Sequence, residues 1–438
     1  MVPIRTCAEQ DNGLCRHKNE RKGSILKRLG PGFITGASDD DPSGLTTYAQ
    51  AGAQLGKNVL WLAPWSLPLM ISAQEMAGRI GLLTQGGLAQ ALLKKFHRVV
   101  VYGMIGSLLI ANTINIGADI AGMAESVQMT TKLPFALSAI MLTLGMLLLQ
   151  IYLPYTKYVN ILKWCTISLF SYVIAAFFIK MGWRSIAWHT MVPQFELASN
   201  NFWGLLVAVL GTTISPYLMF WQASQELEEK RVRDEREQRT AYSVSACEIS
   251  NMREETVIGM FFSNFIMFFV IAVTAAVLHA GGVAKTINSM IEAAEALRPL
   301  AGDMAAWLFG VGIIGTGLMT VPILAASSAY AVAELFGWQQ GLHLSWREAR
   351  GFYGVIAVST IIGLVLNVFG IKAVDFLIWS ALINGCVTPI ILVGMIVVAN
   401  DSKILGRFKN SFMLKAAALI TFLVFIVAIM GFLVTYKK

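Results

Sequence analysis

The sequence predicts an all-α polytopic membrane protein built as a 5+5 inverted repeat with an eleventh helix, helices 1 and 6 being broken. Three observations lead there. Of the 438 residues, 56% are hydrophobic and only 14% charged, whereas a soluble domain carries about 25% charged residues. Eleven windows are apolar and long enough to cross a bilayer, for which about 20 residues suffice. Two of them, the first and the sixth, place a proline after short polar residues, at Asp41-Pro42 and Ser215-Pro216. A proline there removes a helix hydrogen bond and breaks the span.

Taken in order, residues 1–28 are polar and basic and lack the apolar core and small-residue cleavage site of a signal peptide. They read as a cytoplasmic N-terminal tail. The spans follow at about 29–56, 58–81, 99–124, 133–151, 158–179, 202–224, 255–279, 303–337, 351–370, 373–399 and 411–436. The eighth is over-long and therefore tilts or extends beyond the bilayer. Residues 29–199 form the first five-helix repeat, 200–400 the second, and 401–438 carry the eleventh helix. Five being odd, the two repeats are inverted with respect to each other. With the N-terminus inside, the inner segments hold 22 Lys and Arg and the outer ones 9. That bias predicts a cytoplasmic N-terminus and an external C-terminus, in the plasma (inner) membrane of a prokaryote. The inner loop 225–253 opens with the mixed charges of Gln225 to Arg239, which read as a helical extension of span six followed by a solvated loop.

Several function classes fall away. The net charge of +8 lies at the membrane faces rather than in a patch for nucleic acid. Cys7, Cys15, Cys165, Cys247 and Cys386 show neither disulfide nor metal-ligand spacing. His17, His97, His189, His279 and His343 fall in the tail, loops or span ends, and no His-Glu-x-x-His motif or Ser-His pairing occurs in the spans. An intramembrane enzyme is not expected, and no cofactor is implied.

What remains is concentrated at the two breaks. Asp39, Asp40 and Asp41 lie inside a span, where charge is costly and marks a pathway or site. An unwound helix offers free carbonyl oxygens, and a half-helix C-terminus adds negative partial charge. Asp41 adds a full one. The second break, Gly211-Thr-Thr-Ile-Ser-Pro216, sits five spans later, and interrupted helices at matching places in two halves point to an inverted-repeat carrier with a midplane cation site. In span three, Asn112, Asn115 and Asp119 share one helix face. They either line an aqueous path or bond between helices. The same alternatives hold for Asn384 in span ten and Gln222 in span six. Glu75 and Arg79, four apart, read as a structural ion pair or gate element. Gly310, Gly312, Gly315 and Gly317 permit close packing, and Trp61, Trp65, Trp183 and Trp188 fit interfacial belts.

The broken-helix arrangement resembles that of LeuT-like carriers. Gly30-Pro-Gly-Phe33, Asp41-Pro-Ser-Gly44 and Gln50-Ala-Gly-Ala-Gln-Leu-Gly56 resemble the first helix of the NRAMP divalent metal transporters. Gly211-Thr-Thr-Ile-Ser-Pro216 resembles their sixth-helix motif, and Gln74-Glu-Met-Ala-Gly-Arg-Ile-Gly-Leu-Leu-Thr84 the end of their second. The resemblance implies that metal is held at Asp41, Gly44, Thr212 and Ser215, with Thr212 giving a backbone carbonyl. It also exposes departures. The family's asparagine ligand falls on Gly44, its methionine on Ser215, and the histidine after the sixth-helix proline on Tyr217. Of two third-helix acids associated with proton movement, Asp119 matches one and Gly122 replaces the other.

Each departure has a consequence. A thioether suits soft transition metals, so Ser215 in its place leaves an all-oxygen site for hard ions. Mg²⁺ takes oxygen ligands and sheds water reluctantly, and Gly44 leaves room for a partly hydrated ion. The pattern is similar to that of NRAMP-related magnesium transporters and implies alternating-access transport of Mg²⁺ and Mn²⁺ with weak or no proton coupling. Asp39, Asp40 and Asp119 are the remaining candidates for pathway or coupling, with Asn115, Tyr217, Gln222 and Asn384. The competing expectations are a proton-coupled Mn²⁺/Fe²⁺ symporter and an ion-coupled organic solute carrier of the same fold. The expected partners are the lipid bilayer and divalent metal ions, with a monomer as the unit.

Overall fold

The computed structural model describes residues 31–152, 169–179, 181–196, 199–238, 242–279 and 285–436. The N-terminal tail with Cys7 and Cys15, and the first part of the fifth span with Cys165, lie outside them.

Regular structure among the described residues is helical throughout. The first span is two helices, α1 (Pro31–Asp39) and α2 (Pro42–Leu55). Next come α3 (Leu62–Thr84), the short α4 (Gly87–Leu93), α5 (Arg98–Thr131), α6 (Phe135–Tyr152), α7 (Phe170–Phe178) and α8 (Trp183–Met191). The sixth span is again split, into α9 (Asn200–Thr213) and α10 (Pro216–Arg236). The rest are α11 (Ala246–Val277), α12 (Ala305–Phe336), α13 (Arg350–Leu366), α14 (Ala373–Ala399) and α15 (Phe412–Tyr436). The broken sixth span is almost wholly enclosed, whereas α15 is mostly exposed. Exposed Ile110, Leu144, Leu148, Ile361, Leu419 and Leu423 give α5, α6, α13 and α15 their apolar outer faces.

The broken spans are held at the centre by close backbone approaches. Gly36 on α1 meets the backbone of Gly259 on α11, leaving no space for a Cβ. Gly211 on α9 meets Ala381 and Gly385 on α14 in the same way. In α12, Gly310 and Gly317 pack on Thr130 and Met123 of α5. These contacts place α1, α2, α9 and α10 against α11, α12 and α14, so that both breaks open onto the middle of the bundle.

The connections around the charged segment after the sixth span are more ordered than the charge pattern suggested. α10 does extend past the span as expected, but the loop after it is short, because a capping box at Ser245 and Glu248 starts α11 at Ala246. One face of the extension is exposed at Glu229, Arg231 and Glu235, but Lys230 is fully buried, its Nζ 2.9 Å from Asp234 and 3.1 Å from Glu248, over the Tyr242 ring. Its charge is tolerated there because it is paired. Glu75 and Arg79 form the expected ion pair, and Arg253 of α11 joins Glu75 at 3.3 Å. Helices α4 and α8, and the short turns at Met290–Ala294 and Arg298–Ala301, add structure to segments read as loops.

Candidate functional site

Both breaks are built by the same device, an N-cap residue followed by proline. Asp41 has extended backbone (φ −71°, ψ 170°), caps α2 by accepting from the Gly44 amide, and precedes Pro42, which needs no amide partner in the first helical turn. Ser215 occupies the equivalent position before Pro216. Its hydroxyl turns backwards, however, donating to the Thr212 carbonyl at 2.6 Å and lying 3.0 Å from that of Gly211. The carbonyls released by the breaks are satisfied from outside. Tyr217 Oη and Thr320 Oγ1 donate to the Ser38 carbonyl at the end of α1, at 3.0 and 3.2 Å, and Thr388 Oγ1 donates to that of Ile214 at 3.0 Å.

Asp41 is the point where three elements meet. Its Oδ1 accepts from the Gly44 amide and, at 3.4 Å, from Thr212 Oγ1 of α9; its Oδ2 accepts from Asn115 Nδ2 of α5 at 3.1 Å. Gly44 lies directly against this group: a Cβ there would stand 3.0 Å from Thr212 Oγ1 and 3.1 Å from Asp41 Oδ1. Asp41, Thr212 and Ser215 are each 1% exposed, so the site is closed to bulk water in this arrangement. The fold therefore brings together Asp41, Gly44, Thr212 and Asn115, with Ser215 behind them on the Thr212 carbonyl. Among the described residues, no group of three or more His, Cys, Asp and Glu is placed to hold a metal ion; the cluster has one carboxylate and otherwise neutral oxygens.

The other acids lie around this centre in distinct settings. Asp39 and Asp40 turn to α11, where Ser263 Oγ is 2.6 Å from Asp39 Oδ2 and 3.3 Å from Asp40 Oδ1. The second oxygen of each has no hydrogen-bond partner. The triplet is thus divided between two neighbours, α5 and α9 on one side and α11 on the other. Asp119, fully buried, faces Asp41 and the Ser43 amide without a close hydrogen bond. Asn384 keeps its Oδ1 without a partner one turn before Thr388.

Two candidates serve the helix junction rather than the cluster. Tyr217 holds the Ser38 carbonyl, and Gln222 accepts from Thr35 Oγ1 of α1 while donating to Glu226 at 2.7 Å. Asn112 bonds to Ser327 and Ser328 of α12 at 3.1 and 2.9 Å. Of its two open readings, the interhelical one is what the fold uses. Sequence reasoning missed Ser43, Ser263, Thr320 and Ser380. The available signal was weak: single small hydroxyls inside apolar runs, with Ser380 one helical turn before Asn384.

Comparisons with known proteins identify the family and the fold. The family model described as "Natural resistance-associated macrophage protein-like" (Nramp) matches residues 32–435. A divalent metal cation transporter, MntH, of Aeromonas hydrophila is 21% identical over 396 residues, covering 88% of this chain and 90% of its own. Among solved structures, an Eremococcus coleocola manganese transporter superimposes with a TM-score of 0.71 at 16% identity, over 93% of this chain and 87% of its own. The nucleobase-cation-symport-1 family transporter Mhp1 does so at 0.55 with 12% identity, over 92% of each chain. The LeuT-like fold expected from the two breaks is therefore the fold of this chain.

Proposed function

Because the chain belongs to the Nramp family, we propose that it is an integral membrane transporter of divalent metal cations, working by alternating access at the junction of its two broken helices. The observation that carries this reading is the convergence on one point of Asp41 from the first break and Thr212 from the second. Asp41 is the principal ligand. The Thr212 hydroxyl, which donates to Asp41 here, turns a lone pair to an arriving cation, and the Ser215 hydroxyl swings off the Thr212 carbonyl to free it. Water completes the shell.

The finer reading is a preference for hard ions, Mg²⁺ and Mn²⁺, as in the magnesium-transporting branch. It is supported by the neutral oxygens around Asp41, with Ser215 where a thioether would select softer metals, a set for which a partly hydrated hard ion is the better fit. The relatives' names support divalent metal transport and manganese in particular. Proton coupling is weak or absent in this reading, because Tyr217 is engaged with the Ser38 carbonyl. The N-terminus lies inside and the C-terminus outside, and the 5+5 repeat spans 29–199 and 200–400. One observation favours a proton-coupled alternative: Asp119 is a buried carboxyl without a close partner beside Asp41.

Liposomes containing the protein and an internal pH dye, offered Mg²⁺, Mn²⁺, Ca²⁺ and Cd²⁺ in parallel with and without a pH gradient, test the proposal. Uptake of Mg²⁺ and Mn²⁺ without acidification is expected. Uptake confined to Cd²⁺, or acidification in proportion to metal entry, contradicts the finer reading, and no metal uptake contradicts the proposal itself.

A further inference from the structure

The Asn115 amide meets the Asp41 carboxylate through its nitrogen, and something must keep it that way round. An amide has a donor end and an acceptor end of nearly the same shape. Turned over, Asn115 would set an oxygen against the Asp41 carboxylate. The group that decides is Ser380 of α14. Its Oγ lies 2.8 Å from Asn115 Oδ1, and since that oxygen only accepts, the serine hydroxyl donates. Ser380 is in turn 2.9 Å from Ser43 Oγ, and Ser43 Oγ is 2.8 Å from the Leu377 carbonyl. Ser380 Oγ is also 2.8 Å from the Leu377 carbonyl of its own helix, and it has one proton to give. Every acceptor has a donor only when Ser43 donates to Leu377, Ser380 to Asn115 and Asn115 to Asp41. Ser43, Ser380 and Asn115 are all fully buried, so no water can replace a missing donor. A half-satisfied polar chain in such a place is unstable.

From this we infer that Ser380 is a positioning residue for metal binding, holding the Asn115 nitrogen towards Asp41 and so orienting the carboxylate for the ion. The inference rests on Asp41 being the cation's principal ligand. It also joins three elements to that ligand: α2 through Ser43, α5 through Asn115 and α14 through Ser380. A displacement of α14 during transport is thereby transmitted to the orientation of Asp41, by hydrogen bonds rather than by contact with the ion. Groups that orient a metal ligand without touching the metal are worth about 10–100-fold in affinity.

The test uses the full-length protein in liposomes and in detergent, with Mn²⁺ as the probe. Ser380→Ala is expected to raise the KM for Mn²⁺ uptake about tenfold, with maximal rate changed less than about twofold, and to diminish the Mn²⁺-induced rise in Tm. Ser380→Thr, which keeps the hydroxyl, is expected to restore the wild-type KM. Combined with Asn115→Ala, Ser380→Ala is expected to add nothing, because both act through one amide. An unchanged or lowered KM in Ser380→Ala, or an effect that multiplies with that of Asn115→Ala, overturns the inference. Should Ser380→Ala not fold, Ser380→Cys, a poor donor of similar volume, is read by the same criteria. Asp41→Asn measured alongside separates the two levels. If it abolishes transport while Ser380→Ala behaves as wild type, only the positioning role fails; if it transports normally, the site reading fails and takes this inference with it.

Discussion

The Asp41 carboxylate and the Thr212 hydroxyl are separated by 171 positions in the chain and by 3.4 Å in the fold, one at each helix break. Because the hydroxyl reaches a charged group in a closed site, its removal has a defined expectation. A hydrogen bond or ligand contact involving charge is worth about 1.5–3 kcal/mol, so Thr212→Val, which keeps the shape, is expected to weaken apparent Mn²⁺ affinity by roughly tenfold or more. The concentration dependence of uptake checks this, and an unaltered curve would mean that Thr212 does not face the ion.

Gly44 governs the room beside Asp41. A methyl there would sit 3.0–3.3 Å from Thr212 Oγ1, Asp41 Oδ1 and the Asp39 carbonyl, tight enough to remove a water from the shell. Mg²⁺ gives up water less readily than larger cations. Gly44→Ala is therefore expected to lower Mg²⁺ uptake more than Mn²⁺ uptake, measured as the ratio of the two rates in the same liposomes. An equal loss of both would argue that the space is structural.

The close approach of α1 to α11 sets a stability expectation. A Cβ on Gly36 overlaps the Gly259 backbone, which cannot move aside as a side chain would. Gly36→Ala is expected to destabilise the protein by about 3 kcal/mol, at the upper end for overpacking. Gly103 on α5 is exposed, with nothing within 4 Å of a Cβ, and Gly103→Ala is expected to be neutral or to stabilise by roughly 0.5–1 kcal/mol through helix propensity. Thermal unfolding in detergent compares the two.

A pH dependence is expected at the connection between α12 and α13. His343 Nδ1 lies 2.8 Å from Glu228 Oε1, and this contact pushes the imidazole above its ordinary 6.5. Glu228 also accepts from the Leu342 and His343 amides and from Tyr330 Oη. The other charged groups facing His343 are Glu235 and Arg231 on α10 and Glu348 beside it. A raised folded value means the stabilisation is complete below about 6.5 and is lost as pH rises through the raised value. His343 is more than a third exposed, so the contribution is screened to under about 1 kcal/mol. His343→Gln is expected to flatten the fall in Tm between pH 6 and pH 8; an unchanged slope would assign it elsewhere.

Much of this architecture was legible because a bilayer leaves few options. Apolar length marked the spans, and Asp41-Pro42 and Ser215-Pro216 marked both breaks, since each pairs a capping residue with a proline at the first helical position. Asp41, Gly44, Thr212 and Asn115 lie against one another, and Ser215 bonds the Thr212 carbonyl. What was not legible is where side chains turn. Nothing in three consecutive aspartates says that two will face Ser263 and one Thr212. Tyr217 and Gln222 lie on the right helix but serve the α1–α10 junction. Ser380 carries no sequence signal, because a lone serine in an apolar helix most often bonds its own backbone, as Ser359 does and as Ser380 itself can through Leu377. The burial of Lys230 was not legible because its partners Asp234 and Glu248 sit on two elements whose packing the charge pattern does not reveal.

The most direct measurement is Mn²⁺ uptake by liposomes containing Asp41→Asn, with folding verified by thermal unfolding in detergent. The substitution keeps the shape and the cap on α2 but removes the one full charge in the Asp41–Gly44–Thr212–Ser215 cluster. Folded protein with uptake at the level of empty liposomes is the expected result. Folded protein that still takes up Mn²⁺ at the wild-type rate would contradict a metal site at the two helix breaks.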